Sequence, residues 1–70
     1  MKPGVEERVK SKLRATRLNA RLSQEQVGSL LDPPVPRQQI WAWESGRVTP
    51  RIHRLKQLAL ALGVSVDQLL

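Results

Sequence analysis

The sequence predicts an all-α domain of five short helices. Apolar residues recur three and four positions apart through most of the chain, which is the spacing of one helical face. A sustained alternation of apolar and polar residues, which is typical of strands, does not occur, and the chain has no Tyr or Phe. Its 70 residues fit a single domain, 1–70. The helices are predicted at about 5–20, 23–31, 36–45, 50–62 and 65–70.

The first predicted helix is amphipathic and strongly basic. Val9, Leu13 and Ala20 lie on its apolar stripe. Arg17 follows Leu13 by four positions, so it lies on or beside this stripe, and a guanidinium there requires a carboxylate partner. The remaining basic residues face other directions, either as a solvated face or towards an anionic partner: Arg8, Lys10, Lys12 and Arg14.

The second predicted helix begins at a strong capping signal. Ser23 can cap the free N–H groups, Gln26 can reach back to it, and Leu22 can pack on Val27. The helix is short because it must stop before Pro33. Its inward-facing apolar residues are predicted to be Val27, Leu30 and Leu31.

A stiff, extended segment, Asp32–Pro36, is predicted between the second and third helices. Gly28 permits a close approach between those helices. Pro36 suits the first turn of the third helix because its missing N–H would be unpaired there, and Gly46 ends that helix in a left-handed conformation. Ile40 and Trp43 face inward in this prediction, whereas Arg37, Gln38, Gln39 and Ala42 face largely outward.

The last two predicted helices also carry their own start and stop signals. Thr49 and Pro50 open the fourth helix as cap and first residue, and Gly63 ends it. Its buried stripe is predicted to be Ile52, Leu55, Leu58, Ala59 and Leu62. Ser65 and Gln68 then repeat the serine and glutamine capping pattern of the second helix, so a fifth short helix begins there.

The second and third predicted helices together have the anatomy of a helix-turn-helix. In that motif one helix crosses the DNA backbone, and the other places its N-terminal residues against base edges in the major groove. Arg37 can donate two hydrogen bonds to guanine, and Gln38 and Gln39 can each donate to and accept from adenine. These three side chains are therefore candidate base-reading residues.

Composition favours a nucleic-acid partner and excludes several other classes. Twelve Lys and Arg against six Asp and Glu give a net charge of +6, which attracts polyanions. The absence of cysteine fits a reducing compartment, and no apolar run approaches the roughly 18–20 residues that a membrane span needs. We therefore predict a cytoplasmic protein with no membrane partner and no small-molecule substrate.

Enzymatic activity, a cofactor and a metal site are not expected. His53 is the only histidine, and we predict that it lies on a helix surface. The few carboxylates are scattered along the chain, and no Gly-rich phosphate loop follows a strand.

Three separated motifs resemble the XRE-type helix-turn-helix family of phage repressors and Cro proteins. They are Ser23–Gly28, Ile40-x-x-Trp43-Glu44-x-Gly46 and Leu58–Leu69, and the resemblance covers about residues 9–70. It implies a lambda-repressor-like five-helix domain that acts as a homodimer on a two-fold operator. The implied function is sequence-specific binding of double-stranded DNA by a transcriptional regulator, expected to be a repressor, bacterial or phage-encoded and nucleoid-associated.

The resemblance also implies a role for particular residues. Arg17 pairs with Glu44 beneath the phosphates. The base-facing positions fall on Arg37, Gln38 and Ala42, with Gln39 and Trp41 adjacent. The positions that contact phosphates fall on Gln24, Arg14, Arg47, Thr49 and Arg51.

Two features depart from the family pattern. The chain has two additional residues before Ile40, within the rigid segment Asp32–Pro36, which puts the entry angle of the third helix in question. Arg21 stands where the family often has glycine, and a left-handed arginine costs about 1–2 kcal/mol.

Several residues keep more than one interpretation. Trp41 is predicted to pack on the proline-containing segment, with a DNA sugar or a partner protein as alternatives. Val48 and Leu69–Leu70 form either ordinary packing or a dimer seam. Arg8, Lys10, Lys12, Arg54 and Lys56 are expected to be mostly solvated. The alternative functions are a helix-turn-helix-shaped protein–protein adaptor, contacting a polypeptide through Trp41 and the proline-containing segment, and the DNA-binding head of a longer protein.

Overall fold

Four α-helices and one short 3-10 helix make up the described part of the chain. The computed structural model describes the backbone of residues 5–70 and the side chains of residues 12–70. The helices are α1 (Val5–Asn19), α2 (Gln24–Ser29), α3 (Arg37–Glu44) and α4 (Ile52–Leu62), followed by a 3-10 helix (Val66–Leu69). No strand occurs in this range, so the all-α prediction is confirmed. The prediction of five α-helices is wrong, because the last segment is only long enough for a 3-10 turn.

The helices pack around one apolar core, to which each of them contributes. Leu13 from α1 and Val27 from α2 are fully buried, as are Ile40 from α3 and Leu58 from α4. Leu69 of the 3-10 helix is also fully buried, which confirms packing as one of its two alternative interpretations. The other buried apolar residues are Leu31, Trp43, Leu55, Ala59 and Leu62. The place predicted for Val9 on the apolar stripe lies outside the residues whose side chains are described.

The predicted cap of α2 is present in full. Ser23 Oγ accepts from the Gln26 N–H at 3.0 Å, and the Ser23 N–H donates to Gln26 Oε1 at 2.8 Å. The helix ends at Ser29, two residues before the predicted end. Leu30 is consequently 56% exposed, and its predicted inward position is wrong, because the helical repeat no longer sets its direction.

Gly28 lies closest to the segment after α2, and α3 packs beside it. We call residues 30–36, between α2 and α3, the connector. The Val35 N–H donates to Gly28 O at 3.0 Å, and a Cβ on Gly28 would overlap the carbonyl oxygen of Val35. Glycine is therefore required here by the path of the connector. A Cβ on Gly28 would also lie 3.6 Å from Ile40 Cγ1 of α3, so the predicted approach to a neighbouring helix is present, although it is less tight than the approach to the connector.

The starts of α3 and α4 differ from the prediction by one or two residues. Pro36 is the N-cap of α3 and precedes its first turn. Arg51 is the N-cap of α4, so Thr49 and Pro50 lie before the helix and do not open it. Ile52 is 58% exposed, contrary to prediction, because side chains tilt towards the helix N-terminus and that of a first residue extends beyond the helix.

Between residues 5 and 70, three positions outside the helices have a left-handed backbone. Gly46 (φ 81°) and Gly63 (φ 72°) end α3 and α4 as predicted. Arg21 has φ 59° in the turn after α1. Its N–H donates to Leu18 O at 3.0 Å, and the Leu22 N–H donates to Arg17 O at 3.3 Å. This pair of bonds is the helix-ending motif that usually places glycine at the Arg21 position.

Replacing Arg21 with glycine should stabilise the protein. The substitution relieves a backbone cost of about 1–2 kcal/mol and adds unfolded-state entropy worth about 0.5–1 kcal/mol. We expect Arg21→Gly to raise the free energy of unfolding by about 0.5–1 kcal/mol, measured by urea denaturation. Arg21→Ala is the control, since it removes the same side chain and keeps the strained φ. Equal stability of the two variants would contradict the prediction.

Candidate nucleic-acid interface

A buried ion pair joins α1 to α3. Arg17 Nε donates to Glu44 Oε2 at 2.5 Å, and Arg17 Nη2 donates to Glu44 Oε1 at 3.0 Å. The residues are only 8% and 6% exposed, respectively. A third hydrogen bond runs from Arg17 Nη1 to Leu22 O at 3.0 Å. The guanidinium thus holds the carboxylate of α3 and the chain entering α2 at the same time.

Gln24, the first residue of α2, belongs to the same network. Its Nε2 donates to Glu44 Oε1 at 3.1 Å. One carboxylate therefore receives hydrogen bonds from α1 and from α2. In residues 12–70 no buried side-chain nitrogen or oxygen lacks a hydrogen-bond partner, as polar groups in a folded interior require. The three helices meet at Glu44, which fixes the position of α3 relative to the other two.

The outer side of α3 presents most of the candidate base-reading residues. Because Ile40, Trp43 and Glu44 are buried, the helical repeat turns Gln38 and Ala42 to the opposite side. Arg37 and Gln38 are exposed, whereas Gln39 and Ala42 are half-buried.

Trp41 lies under a positive charge. The ring is 47% exposed, and the Arg47 guanidinium carbon sits 5.1 Å from its centroid, within cation–π range. The chain reverses at Gly46, and the Arg47 N–H donates to Ala42 O at 3.0 Å. The sequence predicts packing of Trp41 on the proline-containing segment, but the partner found for its ring is Arg47.

The candidate DNA-contacting residues fall into two groups on either side of α3. On one side a shallow pocket is lined by Gln24, Arg37, Gln38 and Trp41. The adjoining depression adds Arg14 to Gln24 and Trp41, above the Arg17–Glu44 pair. On the other side Gln39 shares a depression with Thr49 and Arg51. In the helical repeat of α3, Gln38 and Ala42 lie between Trp41 and Gln39.

Arginine predominates among the charged residues exposed at this surface, although the exposed Glu25 shares a depression with Arg37 and Gln38. Arg14, Arg37, Arg47 and Arg51 are all exposed, whereas Glu44 is buried and paired. The arrangement offers arginine and glutamine donors beside a protruding helix, which suits phosphates and base edges.

Five further residues for which the sequence makes a prediction are exposed to solvent. His53, Lys12 and Lys56 are exposed, as are Val48 and Leu70. The side chains of Arg8 and Lys10 lie outside the described residues.

No cluster of potential metal ligands occurs in the part of the chain that the structure describes. Among the described residues, no helix combines the length and apolar character that crossing a membrane requires.

Arg54 and Gln57 of α4 are structural residues that the sequence reasoning missed. Arg54 is predicted to be mostly solvated, but it is half-buried and donates to Pro33 O at 2.9 Å. Gln57 Nε2 donates to Asp32 O at 2.6 Å. Their partners lie more than 20 residues away along the chain, so no local pattern signals these contacts.

Comparison with known proteins identifies the family. The family model described as helix-turn-helix matches residues 13–69, which include α2, α3 and α4 in full. The chain belongs to this XRE-type helix-turn-helix family of DNA-binding transcription regulators. No curated protein and no solved structure gives a significant match.

Loss of Arg17 should destabilise the protein severely. Arg17→Met leaves the buried Glu44 carboxylate without its cation, which we expect to lower the free energy of unfolding by about 3–5 kcal/mol. The double variant Arg17→Met/Glu44→Met removes both charges and should recover most of that loss. Urea denaturation of Arg17→Met, Glu44→Met and the double variant measures the coupling free energy between the two residues.

Arg14→Met is the matched control, because Arg14 is an exposed arginine on the same helix. Its stability should stay within about 0.5 kcal/mol of the parent protein. An Arg17→Met variant that is as stable as Arg14→Met would contradict a structural role for the ion pair.

Proposed function

We propose that the protein is a sequence-specific regulator of transcription, a repressor, that binds double-stranded DNA and reads the major groove with α3. The observation that carries this proposal is the surface shared by Arg37 and Gln38 of α3 with Gln24 at the start of α2. A helix-turn-helix requires this juxtaposition, since the first helix lies against the backbone where the second enters the groove. No enzymatic activity or cofactor forms part of the proposal.

In this proposal the base contacts come from the outer side of α3. Arg37 donates to guanine O6 and N7, Gln38 and Gln39 pair with adenine, and Ala42 gives an apolar contact to a thymine methyl group. The exposure of Arg37 and Gln38 supports their part. Gln39 and Ala42 are half-buried, so each can contact only bases that lie close to the surface of α3.

The phosphate contacts flank α3 on both sides in the same proposal. Arg14 and Gln24 bind the backbone on one side, and Thr49 and Arg51 bind it on the other. Arg47 binds a phosphate while its guanidinium rests on Trp41, which restricts the side chain to fewer conformations. These contacts hold the protein in register and carry no sequence information directly.

A homodimer is the proposed DNA-bound species, acting in the cytoplasm on the nucleoid of a bacterium or on phage DNA. Two copies related by a two-fold axis would place their α3 helices in successive major grooves, about 34–36 Å apart. The operator would then be an inverted repeat. Exposed Val48 and Leu70 are candidates for the contact between copies.

Selection from random double-stranded DNA tests the proposal directly. We expect an inverted-repeat consensus and an affinity that falls steeply as salt is raised, because bound arginines release counterions. A selection that recovers no consensus sequence would contradict the proposal. In that case the 47% exposure of Trp41 would favour the second candidate, a protein–protein adaptor. A longer protein that uses this domain as its DNA-binding head would still select a consensus.

Substitution of two arginines should separate base reading from backbone binding. Arg37→Ala should reduce the preference for one base pair by about 1–3 kcal/mol. Arg47→Ala should weaken binding to all sequences alike and reduce the salt slope by about 1 per protomer. Fluorescence anisotropy on consensus and singly changed duplexes measures both effects.

Lys56→Ala is the control, since it removes one exposed positive charge from α4, and Lys56 lines neither of the two depressions that hold the candidate contacts. It should leave base preference unchanged. If Arg47→Ala lost its base preference while Arg37→Ala kept it, the roles assigned to the two arginines would have to be exchanged.

A further inference from the structure

The connector between α2 and α3 is rich in proline and therefore poor in hydrogen-bond donors. Pro33, Pro34 and Pro36 carry no N–H, so the donors of the connector come from four other residues. Leu30 and Leu31 donate to carbonyls of α2, and Val35 donates to Gly28 O. The remaining donor, the Asp32 N–H, has its partner in α4.

Gln57 of α4 binds both backbone groups of Asp32. Its Nε2 donates to Asp32 O at 2.6 Å, and its Oε1 accepts from the Asp32 N–H at 3.4 Å. Arg54 Nη1 donates to Gln57 Oε1 at 2.8 Å and to Pro33 O at 2.9 Å. Because arginine is only a donor, Arg54 also determines which end of the Gln57 amide faces it. The two side chains together hold two successive carbonyls of the connector.

Only three residues separate this anchor from Arg37, the first residue of α3. Two of them are prolines, whose ring fixes φ, and the third, Val35, is bound to Gly28. The N-cap of α3, Pro36, has no side-chain hydrogen bond to the helix. The path of the connector therefore sets the position of the N-terminal turn of α3, whereas Ile40, Trp43 and Glu44 hold the rest of the helix.

We propose that Gln57 and Arg54 are positioning residues that set the angle at which α3 presents Arg37 and Gln38 to DNA. The inference rests on the proposed function, because it assigns a role in base reading. Without the anchor, the connector keeps its attachment to α2 at Val35 but loses its attachment to α4. The first turn of α3 then samples more than one orientation, and base contacts weaken while phosphate contacts elsewhere persist.

The test compares Gln57→Ala with Lys56→Ala, an exposed neighbour in α4 that is not among the hydrogen-bond partners of the connector. Both are measured at a temperature at which each is fully folded. For Gln57→Ala we expect the ratio of consensus to scrambled-DNA affinity to fall about tenfold, a loss comparable to that of one base contact. Binding to scrambled DNA should change by less than about twofold, since it depends on phosphates. The Asp32 and Val35 amides should exchange hydrogen faster in the free protein.

An unchanged ratio in Gln57→Ala would overturn the inference and leave the proposed function intact, as would an equal fall in Lys56→Ala. A parent protein that selects no consensus would overturn the proposed function, and the inference with it. If Gln57→Ala does not fold, Gln57→Glu is used under the same criteria. That variant keeps an oxygen facing Arg54 and removes the donor to Asp32 O.

Discussion

The position of α3 depends on the carboxylate of Glu44. It receives two hydrogen bonds from Arg17 and one from Gln24, so α1 and α2 are both attached to α3 at one point. Apolar packing through Ile40 alone is non-directional and tolerates small rotations of a short helix. A bidentate ion pair adds direction, because the fork of the guanidinium matches the carboxylate in one plane. The outward direction of Gln38 follows from that fixed rotation.

Local patterns predicted the helices well, and their ends less well. The capping box at Ser23 and the left-handed glycines are properties of a few adjacent residues, so the sequence alone contains the information. Leu30 and Ile52 lie at helix ends, where spacing stops being a guide to burial. Both are exposed although the apolar pattern includes them. The prediction of a fifth α-helix was wrong for a different reason. The capping pattern at Ser65 marks where a helix begins, but it does not determine how many turns follow.

The sequence predicted the exposure of single residues on α3 and, through the family resemblance, the distant Arg17–Glu44 pair. It did not predict the distant contacts that the family pattern does not include. Arg37 and Gln38 are exposed on the predicted side of α3. The grouping of Gln39 with Arg51, away from Arg37, required the path of the chain after α3. The anchoring of the connector by Gln57 likewise depends on a tertiary contact.

The two tryptophans of α3 occupy opposite environments although only one residue separates them. Trp43 is 5% exposed in the core, whereas Trp41 is 47% exposed beneath Arg47. Indole emission shifts with the polarity of its surroundings and is quenched by nearby stacked bases. The protein therefore contains two intrinsic optical probes, one sensitive to the integrity of the interior and one to whatever covers the outer surface. Covering that surface changes the surroundings of Trp41 and leaves Trp43 in the core, whereas unfolding changes the surroundings of both.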